Sequence, residues 1–239
     1  MIDLHTHILP KMDDGASTSD LSLEMLRMEA EQGVDTVVLT PHFYREKEDS
    51  SSFLQRRASS FYRLKDRIAE LSDKEKKRLP ELFLGAEVAW VPNMDEWPEL
   101  SQLCLGNSSF LLLELPFYPW NSRMIDQIYD LMSKTGITPI IAHLERYAKI
   151  QRWSSIQEIL ALGIPIQLST SVFLTIGGRR LAKQLLHHGT GFLLASDCHN
   201  TTTRPPNLGN TMAVLKKKFP FSTVLDLRQQ ALVIQQQLI

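Results

Sequence analysis

The sequence predicts an α/β fold in which short parallel strands alternate with helices. Seven short apolar runs recur along the chain, and several are apolar on both faces, as strands covered on both sides must be. Segments with apolar residues at helical spacing separate these runs. The alternation indicates a parallel sheet, either closed into a barrel or doubly wound. The predicted strands are residues 2–4, 36–39, 82–87, 110–115, 138–142, 165–168 and 191–195.

The helices are predicted from spacing and from helix-start signals. Apolar residues stand three to four positions apart at 21–28 and again at 53–71, which predicts the first two helices. Ser155 and Glu158 have the spacing of a capping box, which predicts a helix that begins there. The charged stretch 73–78 predicts a solvated loop. Four further helices are predicted near 122–135, 178–188, 208–218 and 222–237.

Composition limits the class of protein. The 239 residues contain no internal repeat and no long linker, which favours one domain over residues 1–239. A formal net charge of −1 argues against nucleic-acid binding through bulk charge. Two cysteines, Cys104 and Cys198, are too few for a disulfide framework and fit a reducing compartment. With no run of 18 apolar residues and no signal-like start, we expect a cytoplasmic protein without a membrane span.

Side chains that commonly bind metal ions are concentrated where the predicted strands end. The carboxyl ends of parallel strands meet at one face, so these residues can share one site. In the extended segment His5-Thr6-His7 both imidazoles point to the same side. Glu87 and Glu114 end apolar strands, where carboxylates are costly to bury unless paired or metal-bound. The candidate ligands are His5, His7, Asp14, His42, Glu87, Glu114, His143, Asp197 and His199.

A hydrogen-bonded core histidine is the alternative reading of any one of these histidines. Five of the seven histidines end strands together with four carboxylates, which disfavours that alternative. His187 and His188 lie on a predicted helix and are expected at the surface.

Most of these candidates lie in six short motifs. They are D-L-H-T-H at 3–7, D-D-G at 13–15, T-P-H at 40–42, G-A-E at 85–87, A-H-L-E-R-Y at 142–147 and S-D-C-H-N at 196–200. In order and spacing the motifs resemble the polymerase-and-histidinol-phosphatase (PHP) superfamily. The likeness is strongest to its bacterial manganese-dependent protein-tyrosine phosphatases, which regulate capsule and exopolysaccharide synthesis. It extends from Met1 to the R-P-P at 204–206.

The resemblance implies a distorted seven-stranded (β/α) barrel of PHP type that holds three divalent metal ions. Manganese is the expected metal, and the mixed nitrogen and oxygen ligands also suit iron or zinc. The implied substrate is a tyrosine-phosphorylated protein, namely the tail of an autophosphorylating tyrosine kinase, and similar enzymes form homo-oligomers. The implied ligand sets are His5, His7, Glu87 and Asp197 for one ion, Glu87, Glu114 and His143 for a second, and Asp14, His42 and His199 for a third.

Phosphate is the ligand that the charges favour. Three divalent ions bring six positive charges and the four ligand carboxylates four negative ones, so two remain to match a phosphate monoester dianion. Bound metal lowers the pKa of water, so a metal-activated hydroxide could attack without a protein nucleophile. Arg146 and Arg204 follow ligand motifs and could bind phosphoryl oxygens as catalytic residues. Aromatic residues that could hold a phosphotyrosine ring are Phe43, Tyr44, Trp90, Phe117, Tyr118 and Trp120.

Other activities stay open at this point. Five residues separate Cys198 from Arg204, the spacing of thiol-dependent tyrosine phosphatases. The intervening segment has no glycine and three threonines, which disfavours a phosphate-cradling loop. The remaining alternatives are a small-molecule phosphomonoesterase such as histidinol phosphatase, a nuclease, and a metal-dependent scaffold that binds phosphotyrosine without hydrolysing it.

Overall fold

Short strands and helices alternate along the chain in a computed structural model that describes residues 1–189 and 191–239. The strands are β1 (Ile2–Thr6), β2 (Thr36–Leu39), β3 (His42–Phe43), β4 (Glu81–Leu84), β5 (Glu87–Ala89), β6 (Phe110–Glu114), β7 (Thr138–Ile141), β8 (Ile166–Ser169) and β9 (Phe192–Ala195). The α-helices are α1 (Ser19–Glu31), α2 (Ser50–Ala69), α3 (Asp73–Lys76), α4 (Ser122–Thr135), α5 (Trp153–Ala161), α6 (Ile176–His188), α7 (Leu208–Lys218) and α8 (Phe221–Gln236).

All strand pairs in the two sheets are parallel. One sheet has three strands in the order β1-β2-β4, and the other has six in the order β3-β5-β6-β7-β8-β9. The prediction of parallel α/β architecture is therefore confirmed. The predicted number of seven strands is wrong, because the described residues form nine.

The two extra strands arise where the chain passes from one sheet to the other. Thr40 and Pro41 interrupt the second predicted strand, and the chain resumes as β3. Gly85 and Ala86 likewise divide the third predicted strand into β4 and β5. A Cβ atom on Gly85 would lie 2.7 Å from the Leu105 side chain, so a larger residue would force the buried Leu105 to shift.

Backbone hydrogen bonds also join β1 to the segment that follows β9. The Asp197 amide donates to the His5 carbonyl at 2.9 Å, and the His7 amide donates to the Cys198 carbonyl at 2.9 Å. The first strand of the chain thus lies beside the last one. This contact brings the first and the last sequence motifs to the same place.

The helices follow the predicted pattern, with two exceptions. Helix α5 begins at Trp153, with Arg152 as its N-cap and no side-chain cap, so the capping box predicted at Ser155 is wrong. A capping box forms instead between Ser72 and Glu75, where it starts the short helix α3 in place of the predicted loop. A loop was predicted there because the stretch is charged, and a helix of one turn is too short to show an apolar periodicity in the sequence. His187 and His188 are exposed on α6, as predicted.

The strands are covered on both faces, which explains their apolar composition. Every residue of β1, β2 and β9 is buried. One apolar cluster gathers alternate strand residues such as Leu4, Val38 and Leu112 against the end of α8, while a larger one packs the opposite faces against the helices. Most buried polar side chains of the candidate site therefore lie at or near strand ends. Within the described residues no helix is both long and apolar enough to cross a membrane.

Candidate metal centre

The two histidines that end β1 converge on two acidic residues from distant parts of the chain. The Nε2 atoms of His5 and His7 lie 3.1 Å apart. Each is also close to a Glu87 carboxylate oxygen, at 3.2 and 3.3 Å, and to Asp197 Oδ1, at 3.5 and 3.4 Å. All four side chains are buried. Four donor atoms thus face one small volume, as a metal ligand set would.

Glu87 is the centre of the cluster. Its Oε2 lies 2.8 Å from His42 Nδ1, and its Oε1 lies 2.8 Å from His143 Nε2. His143 Nε2 is also 3.5 Å from Glu114 Oε1. A carboxylate placed among four imidazoles in this way can bridge neighbouring cations, because its two oxygens face different donors.

A further group lies nearer to solvent. Asp14 Oδ1 is 3.6 Å from His42 Nε2 and 3.4 Å from His199 Nε2. The Asp14 side chain is 68% exposed, so this group forms the outer edge of the cluster. Together with the buried groups, it brings all nine candidate ligands into one continuous site.

The grouping of donor atoms overlaps the predicted ligand sets without matching them. Atoms within 4.8 Å of one another form three groups in the described residues. They differ from the prediction in three respects: His7 belongs to two groups, His42 stands with Glu87 and Glu114 where His143 was expected, and Asp197 belongs to none of the groups. The groups are His5, His7 and Glu87; His42, Glu87 and Glu114; and His7, Asp14, His42 and His199.

The charges of the buried groups depend on one another. Burial alone would raise the pKa of Glu87, but the surrounding histidines hold it well below its usual value. Burial lowers the pKa of His5. Burial also opposes charge on His7, yet its hydrogen bond with Asp13 and the nearby Glu87 carboxylate outweigh this effect and raise its pKa to about 9. An anionic carboxylate therefore sits at the centre of the imidazoles.

The arrangement of the donor atoms suits binding of divalent metal ions better than hydrogen bonding among the side chains themselves. Glu87 Oε2 and His42 Nδ1 are only 2.8 Å apart, yet each is buried without a hydrogen-bond partner among the described residues. His199 Nε2 is likewise buried and without such a partner. Buried polar atoms are normally satisfied, and a shared cation would satisfy these. Imidazole and carboxylate donors without thiolate suit manganese, iron or zinc.

Two residues that the sequence reasoning did not select hold the histidines in position. Asp13 Oδ2 accepts a hydrogen bond from His7 Nδ1 at 2.7 Å and from the His42 amide at 2.9 Å. Gln167 Oε1 lies 3.2 Å from His5 Nδ1 and accepts from the His143 amide at 2.6 Å. Such outer partners fix the tautomer of a ligating histidine. Gln167 could have been noticed as a polar residue in an apolar strand.

Unusual backbone conformations occur at the site. His143 and Asp197, each just after a strand, have positive φ values of 32° and 53°. Residues with side chains rarely adopt this region, and such strain is concentrated at functional sites. Gly15 of the D-D-G motif is required for a different reason, because a Cβ atom there would lie 2.1 Å from the His7 carbonyl oxygen.

The two candidate phosphate-binding arginines meet at a single carboxylate. Arg204 Nη2 donates to Asp197 Oδ2 at 2.7 Å, and Arg146 Nη2 contacts the same oxygen. Both guanidinium groups are partly exposed, with 38% and 35% of the side chains accessible. The structure therefore places two fixed positive charges at the solvent side of the metal cluster.

Cys198 is turned away from this cluster. Its side chain is fully buried and its Sγ lies 3.8 Å from Glu29 Oε1 on α1. Burial, together with the nearby Glu29 and Asp3, raises the pKa of the thiol well above its usual value. The geometry therefore gives no support to a thiolate nucleophile at this position.

A family model described as "Capsular polysaccharide synthesis, CpsB/CapC" matches residues 1–231. The chain belongs to the CpsB/CapC family. It is 31% identical over 231 residues to the tyrosine-protein phosphatase YwqE of Bacillus subtilis, which covers 92% of this chain and 85% of YwqE.

Two solved structures resemble this CpsB/CapC chain. The first comes from work on YwqE of Bacillus subtilis and CpsB of Streptococcus pneumoniae, described as unique metal-dependent tyrosine phosphatases. It matches with a TM-score of 0.80 and 29% identity, and covers 99% of this chain and 95% of the other. A histidinol phosphate phosphatase from Lactococcus lactis matches with a TM-score of 0.52 and 13% identity over 92% of this chain and 95% of its own, a likeness of fold alone.

Proposed function

We propose that this protein is a metal-dependent phosphatase that removes phosphate from tyrosine-phosphorylated proteins. The observation that carries the proposal is the convergence of nine metal-type donors from seven chain segments beside two arginines that share Asp197. The similarity to YwqE and to the metal-dependent tyrosine phosphatase structure supports the same activity.

Three divalent ions, with manganese as the expected metal and iron or zinc as alternatives, would be held by the nine donors. The predicted ligand sets remain our proposal. In the structure His7 and His42 each lie within reach of two groups of donors, so each could serve either of two neighbouring ions. When bound, the ions would supply the positive charge that activates water and stabilises the transferring phosphoryl group.

The protein's own residues position the ligands and the substrate. Asp13 holds the His7 ring through Nδ1, and Gln167 holds His5 in the same way, so both rings present Nε2 to the cluster. Arg146 and Arg204 would bind the phosphoryl oxygens in bidentate fashion. Asp197 keeps both guanidinium groups in place until substrate arrives.

The biological setting follows from the family. The expected substrate is the phosphorylated tail of an autophosphorylating tyrosine kinase in capsule or exopolysaccharide synthesis. We further propose that the chain is one cytoplasmic domain that can form homo-oligomers. In this proposal the two sheets together make a distorted barrel, since β2 runs into β3, β4 runs into β5, and β1 lies beside the segment after β9.

Phosphate release from a phosphotyrosine peptide tests this function directly. Metal-stripped protein should lose activity, and manganese should restore it. Alkylation of the restored enzyme should leave activity unchanged, because both cysteines are buried and Cys198 faces away from the site. Histidinol phosphate serves as the comparison substrate and should give a lower kcat/KM.

The other outcomes identify the competing functions. Activity that resists chelation and is lost on alkylation would assign the reaction to a thiol. A higher kcat/KM for histidinol phosphate would indicate a small-molecule phosphatase. Binding of the phosphopeptide by manganese-loaded protein without phosphate release would indicate a scaffold.

A further inference from the structure

The aromatic residues that follow the strand ends divide into two sets. Phe43 and Trp120 are buried, and Trp120 packs against Tyr147 with ring centroids 5.0 Å apart, so they belong to the core. The other four line a single cavity of about 280 Å³ that opens at the surface; they are Tyr44, Trp90, Phe117 and Tyr118.

This cavity adjoins the metal cluster. Tyr44 stacks on His42 with ring centroids 5.3 Å apart and an angle of 29° between the planes. Phe117 stacks on His143 at 6.1 Å and 23°. Glu114 lines the cavity and also belongs to the donor group with His42. A group attached to a phosphate bound at the cluster can therefore enter the cavity directly.

The lining has the chemistry of a site for a flat apolar group. Besides the four aromatic side chains, it includes five apolar residues and the charged residues Arg45, Glu46 and Glu114; the apolar ones are Ala89, Val91, Pro92, Leu115 and Pro116. Phe117 and Tyr118 are 50% and 57% exposed, so part of each ring surface is open to a ligand, although Phe117 also packs against His143 and Tyr147. Aromatic rings contribute specific edge and face contacts to another ring beyond the area that they bury.

We propose that this cavity is the binding site for the phenyl ring of the substrate and that Phe117 and Trp90 determine the preference for aryl over alkyl phosphates. The inference rests on the proposed phosphatase function only in that the phosphate must bind at the metal cluster. A phosphoserine or phosphothreonine side chain has no ring, so it would leave the aromatic walls in contact with water.

Two phosphonates that differ only in the group attached to phosphorus isolate the ring site. Calorimetry on manganese-loaded protein should show phenylphosphonate binding at least about tenfold more tightly than methylphosphonate, because the phenyl ring alone buries apolar surface. Phe117→Leu should reduce this ratio about three- to tenfold, the range for loss of one aromatic pair. Trp90→Leu provides a second, independent variant with the same expected direction.

Phe221→Leu is the matched control, since Phe221 is 81% exposed at the start of α8 and does not line the cavity. Its phenyl-to-methyl ratio should equal that of the wild type. Equal affinity for the two phosphonates in an active enzyme would overturn the ring site and leave the phosphatase function intact. A phenyl-to-methyl affinity ratio that neither Phe117→Leu nor Trp90→Leu changes would likewise overturn the ring site and leave the phosphatase function intact. Ring-dependent binding without phosphate release would instead overturn the proposed hydrolysis and support the ring site.

Discussion

Two clusters of buried acidic residues lie at different positions around β1, and their charges differ. Glu87 is buried among histidines, which hold its pKa well below the usual value. Asp3 and Glu29 are equally buried but face each other, and burial followed by mutual repulsion raises the pKa of Glu29 well above its usual value. The Ser196 amide donates to Asp3 at 3.0 Å, which lowers the Asp3 pKa against the effect of burial.

The comparison shows that burial alone does not decide the charge of a carboxyl group. Burial acts to raise the pKa in both clusters, and only the imidazole partners of Glu87 reverse that direction. A carboxylate anion among nitrogen donors is suited to binding cations. The Asp3 and Glu29 pair instead joins α1 to the segment around Ser196, through the Ser196 amide and the Cys198 thiol. The following variants test this division of roles.

Glu87→Gln should have the largest effect. The amide keeps the size of the side chain but removes the negative charge that faces four imidazoles. Metal affinity should fall more than about a hundredfold, which is the upper end for residues that contact metals only through a ligand. Activity on a phosphotyrosine peptide should fall with it. Equilibrium dialysis with manganese measures the first effect, and wild-type affinity would contradict the central role of Glu87.

Arg204→Lys should have an intermediate effect. Lysine keeps the positive charge but loses the planar fork that binds two phosphoryl oxygens. We expect kcat/KM to fall about ten- to a hundredfold while the metal content is unchanged. Arg180→Lys, at an exposed position on α6, is the matched control. If Arg204→Lys lost metal instead, the arginine would act through Asp197 on the ligands and not on phosphate.

Glu29→Gln should have the smallest effect on activity, within about twofold. Because the folded pKa of Glu29 is raised, the folded protein binds more protons than the unfolded chain above the ordinary glutamate pKa of 4.5. Wild-type stability should therefore fall as pH rises above that value, by up to about 1.4 kcal/mol per pH unit for one proton, and the variant should lack this loss. Thermal unfolding of both proteins from pH 5 to pH 8 measures the difference. A constant difference across this range would show that Glu29 is already ionised.

Much of the site could be predicted from residue type and strand position. His5 lies near the end of β1 and His143 follows β7, and parallel topology requires that such ends meet. Glu87 was predicted to end a strand, but it begins β5, just after the chain leaves β4. The sequence did not reveal which donors form a group, because that depends on side-chain directions. His42 is the example: its β3 strand has two residues, too short to detect as a pattern, and it places His42 with Glu87 and Glu114.

Features that depend on a single distant partner could not be predicted. Asp13 was visible in the D-D-G motif, but only the fold brings it to 2.7 Å from His7. The capping box predicted at Ser155 does not form, because packing overrides the local sequence pattern. Helix α5 begins two residues earlier, at Trp153. The break between β4 and β5 at Gly85 could not be predicted either, because it lies within a continuous apolar run of the sequence.

The pairing of the two chain ends has a consequence for biosynthesis. The His7 amide bonds to the Cys198 carbonyl, and His5 lies beside Asp197, so contacts within the site span almost the whole chain. Contacts of such high sequence separation form late, because they require closure of a very long loop. A nascent chain still on the ribosome therefore displays His5 and His7 long before it can complete their site. Metal loading should follow translation, and a truncated product should not sequester the metal.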